Sequence, residues 1–371
     1  MKKPYFLLIS LSLIVLFFSC TDAVENDDSQ IIEFGFDSNR LNYSVKKEGV
    51  LSFVCKGAKA MDDLELYVNV AKYKSWTKPS SGAFQVDIDL ALGIYSMELR
   101  GYQKNKLVSA DGRNLIVNAA EKPLELIYDF KASHPHNATH FTQGYEFYNG
   151  KLFESTGNPN NDGSTKIAEI NEQTGLSIRE KEQPNPIFGE GITILGSNIY
   201  QISWQNQKCF VYDLNTFELD TSFIYQGEGW GLCNDGESII MSNGTHELVY
   251  RDPSSFNVIK RISVHTDKGA VTNLNEIEFH NGKVYANVWM GEQRRQQDSG
   301  IDLTKIVEIN PKEGSVTGVL DIRGLIEMSN KKGVPNGIAY RKSSNTFWLT
   351  GKYWNEAYEV QITTKSTLGA R

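Results

Sequence analysis

The stretch FGEGITILGSNIYQISWQNQKCFVYDLNTFE (residues 188–218) consists of three successive segments of different character. It begins with a polar and aromatic motif and continues through a turn into the apolar run NIYQISW. It ends with the run CFVYDL, which leads through an acidic residue into a second turn. Apolar and polar residues alternate without a helical period, so each run is predicted to be a β-strand.

The same three segments occur five times between residue 141 and the C-terminus. The opening motifs are FTQG (141–144), FGEG (188–191), GEGWGL (227–232), LNEIE (274–278) and NGIAY (336–340). The turn and apolar run that follow read YNGKLFEST, LGSNIYQISW, NDGESIIMSNG, HNGKVYANVW and KSSNTFWLTGKYW. The closing runs are TKIAEINEQTG (165–175), CFVYDLNTFE (209–218), ELVYRDPSSFN (247–257), KIVEINPKEG (305–314) and AYEVQIT (357–363). A period of roughly 40 to 50 residues with several strands per unit is typical of propeller blades, so an all-β chain with a five-bladed β-propeller at residues 124–365 is predicted.

The fifth repeat ends close to the C-terminus and lacks an outermost strand. An open edge would leave backbone groups unpaired. The run LELIYDF (124–130) precedes the first blade and belongs to no other repeat. We therefore expect it to close the ring by pairing with residues 357–363.

The N-terminus is predicted to be a signal peptide (1–20) followed by a flexible tether (21–30). Lys2 and Lys3 precede a short apolar run, and Cys20 follows a small residue at its end. This resembles the bacterial lipoprotein signal, which implies a lipid on Cys20, membrane anchoring and an envelope location facing either the periplasm or the cell surface; plain secretion is the alternative. Removal of the two lysines changes the formal net charge from -7 to -9, which argues against nucleic acid as a partner.

Residues 31–120 contain six short runs with strand-like alternation: NYSV, VLSFVCKG, LELYVNVA, FQVDIDL, IYSMELRGY and NLIVNA. In the fourth run, apolar residues at 84, 86 and 88 alternate with polar residues. A small immunoglobulin-like β-sandwich is therefore predicted before the propeller. The mature chain would keep Cys55, Cys209 and Cys233; the last two either pair or remain buried thiols.

The innermost strands of a propeller converge on its central channel, so the opening motifs are expected to surround one funnel. The residues placed there would be Gln143, Glu190, Trp230, Asn275 and Asn336, joined by the strand-end residues Trp204, Trp289 and Lys352. Ser155 is not in a nucleophile-elbow motif, and the six histidines have no triad-like context. A carboxylate beside amide donors and aromatic rings suits proton transfer on a small uncharged group, with Glu190 as the acid/base.

In order along the chain, FTQG, ESTG, FGEG, QISW, GEGWGL, LNEIE, ANVW, NGIAY and TGKYW resemble the plant-type glutaminyl-peptide cyclotransferases, which also occur in bacteria. The resemblance covers about residues 125 to 365. It implies a five-bladed propeller enzyme that converts the N-terminal glutamine of a peptide or protein to pyroglutamate and releases ammonia. It also implies that no metal or other cofactor is needed.

For that reaction, Glu190 is the expected proton shuttle, and Gln143, Asn275 or Lys352 would stabilise the oxyanion. The resemblance implies that five aromatic side chains wall the substrate pocket: Phe141, Phe188, Trp204, Trp230 and Trp289. The rival carboxylates Glu154, Glu228, Glu276 and Glu278 are expected to bond inter-blade backbone or Lys352 instead.

Two other functions remain open at this point. A metal-dependent propeller lactonase or lyase would bind a cation through Glu190, Asn275 and Asn336, although three tryptophans would crowd a hydrated metal. A non-enzymatic propeller would bind peptide or glycan through its aromatic residues. Arg294 and Arg295, in an expanded loop after Trp289, would either favour acidic peptides or remain solvated.

Overall fold

The computed structural model describes residues 33–160, 165–184, 186–289, 299–329 and 333–365. The predicted signal peptide with Cys20, the predicted tether, and Arg294 and Arg295 lie outside the described residues. The described chain forms two compact units, one built mainly from residues 33–115 and the other mainly from residues 116–365. Within these ranges, no helix has the length and apolar character needed to cross a bilayer.

The first unit contains two β-sheets. Its strands are β1 (Gly35–Phe36), β2 (Asn42–Lys46), β3 (Val50–Lys56), β4 (Asp63–Val68), β5 (Ala71–Thr77), β6 (Ala83–Asp87), β7 (Gly93–Gln103) and β8 (Lys106–Asn118), with a short 3-10 helix at Ala58–Ala60. One sheet has the order β1-β3-β6 and the other β2-β8-β7-β4-β5. Phe84, Val86 and Ile88 are buried, whereas the residues between them are exposed, as the alternation predicted.

One strand of this unit was not predicted. The run LELYVNVA supplies β4 from Leu64 to Val68 and only the first residue of β5, and the two strands pair as an antiparallel hairpin with Val68 opposite Ala71. Asn69 adopts a positive φ of 53° in the turn, a conformation that Asn tolerates better than most residues. Most of β5 is exposed, so its sequence carries little apolar periodicity and it was missed.

The second unit is a β-propeller of five four-stranded antiparallel blades, as predicted. Blade one comprises β10 (Thr142–Tyr148), β11 (Lys151–Thr156), β12 (Lys166–Ile170) and β13 (Ser177–Glu182). Blade two comprises β14 (Gly189–Leu195), β15 (Asn198–Ser203), β16 (Lys208–Asp213) and β17 (Leu219–Ile224). Blade three comprises β18 (Leu232–Asn234), β19 (Ile239–Ser242), β20 (Glu247–Arg251) and β21 (Val258–Ser263). Blade four comprises β22 (Leu274–His280), β23 (Lys283–Val288), β24 (Lys305–Ile309) and β25 (Val316–Asp321), and is followed by helix α1 (Arg323–Met328). Blade five comprises β26 (Pro335–Arg341), β27 (Thr346–Gly351), β28 (Glu356–Thr364) and β9 (Leu124–Pro135).

The ring closes through β9, as predicted from the sequence. This strand pairs antiparallel with β28 from Leu126 opposite Thr364 to Pro135 opposite Glu356. Its first residues also pair in parallel with β25, where Leu124 lies opposite Gly318. Blades four and five therefore form one eight-stranded sheet, which pairs the edge that β28 would otherwise expose.

Tyr358 tests how much this closure contributes to stability. Its side chain is fully buried in the cluster that joins β9, β27 and β28, and its ring centroid lies 5.8 Å from that of Trp354. We expect Tyr358→Ala to lower the free energy of unfolding by about 3 to 5 kcal/mol, because the truncation leaves a cavity in a packed core. Chemical denaturation would measure the loss, with exposed Thr364→Ala as the control. Equal stability of the two variants would contradict a stabilising role for the closure.

The innermost strands approach one another closely at their glycines. A Cβ atom on Gly144, Gly191 or Gly231 would lie between 2.2 and 2.4 Å from a backbone atom of the next inner strand. The equivalent position in blade four is Glu276, whose carboxylate accepts hydrogen bonds from the backbone N–H groups of Tyr145 at 3.3 Å and Ile338 at 2.9 Å. Glu276 therefore links blade four to blades one and five.

Other carboxylates link neighbouring blades in the same way. Glu278 accepts from the Tyr340 N–H at 2.9 Å, so the expectation of inter-blade bonding is confirmed for both glutamates of LNEIE. Glu146, which the sequence did not single out, accepts from the Ile194 N–H at 3.1 Å, and burial raises its pKa to about 8.

The cysteines of the described chain do not form disulfides. Cys55, Cys209 and Cys233 are free and buried. Of the two alternatives for Cys209 and Cys233, the structure shows buried thiols, and burial raises the pKa of each.

Candidate active site

Irregular pairing at the start of four inner strands places the polar motif residues. Pairing with the second strand shifts in register between Thr142 and Gly144, between Gly189 and Ile192, between Leu274 and Ile277, and between Pro335 and Ile338. The shifts span Gln143, Glu190, Asn275 and Asn336. Bulges of this kind redirect side chains and are frequent beside active sites. All four side chains are buried.

Three of these polar side chains form one hydrogen-bonded chain. The Gln143 Nε2 donates to Glu190 Oε1 at 2.9 Å, and its Oε1 accepts from Asn336 Nδ2 at 2.9 Å. Asn336 Nδ2 also donates to the Thr142 carbonyl at 2.9 Å. The amide nitrogen of Gln143 is therefore already bonded to Glu190, and Gln143 holds that carboxyl group in position.

Glu190 is buried and has an unusual electrostatic environment. Burial raises its pKa well above the usual range; Lys352 opposes this effect, and Glu228 adds to it. Its Oε2 atom has no hydrogen-bond partner among the described residues. A buried carboxyl with one free oxygen and a raised pKa is suited to exchange protons near neutral pH.

Lys352 lies after β27 and is 5% exposed. Burial lowers its pKa to about 8, although the charge of Glu190 partly counteracts the decrease. Its Nζ atom lies 4.5 Å from the centroid of the Phe141 ring. The ammonium group is thus held against an aromatic face rather than paired with a surface carboxylate.

Two further buried oxygens at the inner-strand starts lack partners within the described chain. They are Asn275 Oδ1 and Asn336 Oδ1. A buried acceptor without a partner costs about 1 to 3 kcal/mol, so these atoms indicate a ligand that supplies N–H or O–H groups.

Partly buried aromatic side chains line the same end of the propeller. The ring of Phe141 lies edge-on to Phe188 at 6.0 Å between centroids, and Phe188 lies edge-on to Trp204 at 5.6 Å. Trp230 and Trp289 make a second edge-on pair at 5.7 Å. The structure therefore brings together the five aromatic residues proposed from the sequence as two neighbouring groups.

Two residues join this wall that the sequence did not assign to it, and the expectation that Glu228 bonds inter-blade backbone or Lys352 is wrong. Glu228 accepts a hydrogen bond from the indole N–H of Trp204 and another from that of Trp230, each at 2.9 Å. Tyr353 lies edge-on to Phe141 at 5.3 Å and has a positive φ of 63°. Both residues lie inside the motifs GEGWGL and TGKYW. They are in turns, however, and the alternation of a strand cannot predict which way a turn residue points its side chain.

Gly244 makes room for one wall of the pocket. Its φ is +74°, and a Cβ atom there would lie 2.5 Å from the Trp230 ring. Trp348 and Trp354 are fully buried in blade packing, as expected from the sequence.

A buried cluster of His136, His140 and Glu154 lies beside the first inner strand. The Glu154 carboxylate contacts His136 Nε2 at 3.1 Å and His140 Nδ1 at 2.8 Å. Its Oε1 also accepts from the Thr142 hydroxyl at 2.8 Å. The sequence gives no signal for this cluster, because the histidines of HPHNATH (134–140) have no triad-like context.

These three side chains form the group within the described residues whose donor atoms could surround a metal ion. The hydrogen bonds favour an ion pair instead. His136 Nδ1 faces the Trp354 carbonyl at 2.7 Å, so both ring nitrogens of His136 face acceptors and both need a proton. Asn137 Oδ1 accepts from Thr139, which directs its Nδ2 to His140 Nε2 and leaves the His140 proton on Nδ1, facing Glu154. The pattern indicates a protonated His136 paired with a Glu154 carboxylate.

The pair predicts a defined pH dependence of stability. Burial lowers the pKa of His136, but the charge and hydrogen bond of Glu154 outweigh it, so the net shift is upward. The stability that the protonated His136 contributes is present below the usual histidine pKa of about 6.5 and is lost as pH rises through the raised pKa. The contacts of Glu154 with His140 and His136 outweigh burial and lower its pKa, which adds stability that is lost as pH falls below about 4.5.

Glu154→Gln removes the charge that keeps His136 protonated. Burial, the largest influence on His136 and now opposed by the Trp354 carbonyl without the Glu154 charge, then lowers the His136 pKa, so the variant loses stability as pH falls below about 6.5. We expect its deficit in the free energy of unfolding to grow by up to about 1.4 kcal/mol per pH unit between about pH 6.5 and pH 5. Urea denaturation across this range would measure it, with exposed Glu237→Gln as the control. A deficit independent of pH would contradict the ion pair.

Comparisons with known proteins cover this same part of the chain. The family model described as glutamine cyclotransferase matches residues 105–362. A glutaminyl-peptide cyclotransferase of Arabidopsis thaliana is 32% identical over 288 residues, which is 75% of this chain and 83% of the relative. The crystal structure of Myxococcus xanthus glutaminyl cyclase is similar with a TM-score of 0.59 and 27% identity, covering 66% of this chain and 100% of that one.

Proposed function

The chain belongs to the glutamine cyclotransferase family, and we propose from this premise that it is a glutaminyl-peptide cyclotransferase. It converts the N-terminal glutamine of peptides or proteins to pyroglutamate and releases ammonia. The observation that carries the proposal is the buried Glu190, with one oxygen free, beside Lys352 and an aromatic wall.

The reaction requires an exchange of bonds within one residue. The α-nitrogen of glutamine attacks its own γ-carbonyl carbon, the bond from that carbon to the amide nitrogen breaks, and ammonia leaves. Because both reactants share one residue, ring closure needs little loss of translational freedom. An α-amino group has a usual pKa of about 8, so a useful fraction is neutral and nucleophilic at pH 7.

Glu190 is the proposed proton shuttle. In its protonated form it donates a proton to the departing amide nitrogen, and it recovers a proton from the attacking α-nitrogen, so the carboxyl group ends the cycle unchanged. Its raised pKa supports the protonated resting form, and its free Oε2 is available to the substrate. Gln143 holds the other oxygen through the 2.9 Å hydrogen bond.

Lys352 and Asn275 are the proposed groups for the developing oxyanion. The Lys352 ammonium is buried, so its charge acts in a medium of low polarity. Gln143 was expected to share this role, but its hydrogen bonds to Glu190 and Asn336 favour a positioning role. The unpartnered Asn275 Oδ1 and Asn336 Oδ1 suit the N–H groups of the substrate amine and carboxamide.

The aromatic wall is proposed to hold the glutamine side chain. Phe141, Phe188, Trp204, Trp230 and Trp289 offer apolar faces to its methylene groups. Such a wall also excludes water, which favours cyclisation over hydrolysis to glutamate.

Ammonia release from a Gln-initiated peptide tests the proposal. The purified chain lacking residues 1–20 would be assayed with EDTA present, since we propose that the reaction needs no metal cofactor. Turnover that resists EDTA supports this chemistry. Loss of turnover with EDTA that divalent cations restore would favour the metal-dependent alternative, and release no faster than the spontaneous rate would favour a binding propeller.

The N-terminus is proposed to anchor the enzyme in a bacterial envelope. The support is sequence-based: a short apolar run after two lysines, ending at Cys20. The lipid on Cys20 would place the propeller at a membrane surface, facing the periplasm or the outside, where it would meet peptides and exported proteins. Metabolic labelling with a fatty acid analogue, compared between the wild-type chain and Cys20→Ser, tests this; equal labelling would contradict it.

The first unit is proposed to be an immunoglobulin-like sandwich that acts as a spacer or a partner-binding module. Its two sheets of three and five strands support the assignment. A chain lacking residues 21–115 that retains full turnover on a short peptide would agree with this role, whereas a folded variant without turnover would contradict it.

A further inference from the structure

Glu228 lies between two tryptophans that belong to different blades. Trp204 follows the second strand of blade two, and Trp230 precedes the first strand of blade three. Both indole N–H groups donate to the same carboxylate oxygen, Oε2, at 2.9 Å. The other oxygen accepts from Gln205 Nε2 at 3.2 Å. Glu228 is thus the polar link between the two aromatic groups.

The backbone around Glu228 is constrained to present the side chain in this way. Gly227 has a positive φ of 88°, which a residue with a side chain rarely adopts. A Cβ atom on Gly229 would lie 2.3 Å from the Tyr225 hydroxyl. The backbone N–H of Gly229 also donates to the Trp204 carbonyl at 3.2 Å. These contacts fix the turn that carries Glu228.

The main chains of the two tryptophans are held independently of Glu228. The Trp204 N–H donates to the Phe188 carbonyl at 2.9 Å, and the Trp230 N–H donates to the Ser242 carbonyl at 3.1 Å. Their side chains are only half-buried. Ring orientation therefore depends on the edge-on aromatic neighbours and on the hydrogen bonds to Glu228.

We propose that Glu228 is a positioning residue that fixes the Trp204 and Trp230 side chains and thereby sets the shape of the pocket for the glutamine side chain. The inference rests on the proposed function, because it concerns the same pocket. One carboxylate oxygen shared by two indoles couples the walls from blades two and three. Loss of the link is expected to weaken substrate binding rather than the chemical step.

Two substitutions separate this role from a general effect on folding. Glu228→Ala removes every contact, and we expect KM to rise about 10- to 100-fold with kcat within about three-fold of wild type, as expected when two charge-assisted anchors of the walls are lost. Glu228→Gln keeps an oxygen that can accept from both indoles, and its amide can pair with a reoriented Gln205. Its KM is expected to stay within about three-fold of wild type. Exposed Glu237→Gln in the same blade is the matched control.

Indole fluorescence gives a readout that does not depend on turnover. In Glu228→Ala we expect red-shifted emission and greater acrylamide quenching, with the Gln variant close to wild type.

If the Ala variant does not fold, Trp204→Phe removes one of the two hydrogen bonds and should raise KM several-fold. Unchanged KM and emission in Glu228→Ala, or a Gln variant as impaired as the Ala variant, would overturn the proposal. A wild-type chain without ammonia release would contradict the proposed function instead, and the fluorescence comparison would still decide the role of Glu228.

Discussion

Glu190→Gln is expected to lower kcat for ammonia release by about 10²- to 10⁴-fold, the range typical of a lost general acid/base. The amide has nearly the shape of the carboxyl and can still accept the Gln143 hydrogen bond through its oxygen. It cannot shuttle a proton at accessible pH. KM should change little, because the aromatic wall is intact. Steady-state kinetics at saturating peptide would measure the effect.

Folding controls make the Glu190 result interpretable. Because Glu190 is buried with a raised pKa, its neutral replacement should leave thermal stability unchanged or slightly increased. Exposed Glu237→Gln should retain wild-type kcat. If Glu190→Gln were stable and kept more than about a tenth of the wild-type kcat, another group would have to transfer the proton.

Lys352→Met is expected to lower kcat by about 10²- to 10³-fold, comparable to the loss of one oxyanion donor. Methionine keeps an unbranched side chain of similar length but removes the ammonium group that lies over the Phe141 ring. The matched control is Lys342→Met, which alters an exposed lysine in the turn between β26 and β27 of the same blade. A loss confined to KM would show that Lys352 binds substrate rather than stabilising the transition state.

The pH dependence of kcat is a second test of the role of Lys352. Its pKa is lowered to about 8, so the ammonium form predominates below that value and is lost as pH rises through it. We expect this change to contribute to a falling alkaline limb of kcat in the wild-type enzyme. The contribution should be absent from the residual activity of Lys352→Met. An identical alkaline limb in both proteins would assign it to another group.

The architecture could be predicted because its determinants are local and repeated. Strand alternation, turn residues and the spacing of the motifs recur five times, and each copy strengthens the interpretation of the others. The role of β9 followed from counting strands. The last repeat lacks one strand, and the strand-like run at residues 124–130 belongs to none of the five repeats. The register with β28 agrees with that reasoning. The β4–β5 hairpin was missed because an exposed strand needs no apolar period.

The chemistry of the pocket was only partly visible in the sequence. The motifs identified which side chains meet at the channel, since the inner strands of a propeller must converge. They did not show that Gln143 would bridge Glu190 and Asn336, or that His136 would pair with Glu154. These contacts depend on hydrogen-bond geometry between segments distant in the chain.

The sequence by itself determined the blade count, the closing strand and the residue types that surround the funnel, because repeats and strands can be counted along the chain without knowing which segments meet in space. Only the tertiary structure decided what each polar group contacts. The register shifts at Gln143, Glu190, Asn275 and Asn336 direct their side chains, and burial moves the pKa values of Glu190 and Lys352 toward each other. Glu228 joins Trp204 and Trp230 for the same physical reason: the direction and desolvation of a side chain arise from neighbours that only the folded chain brings together.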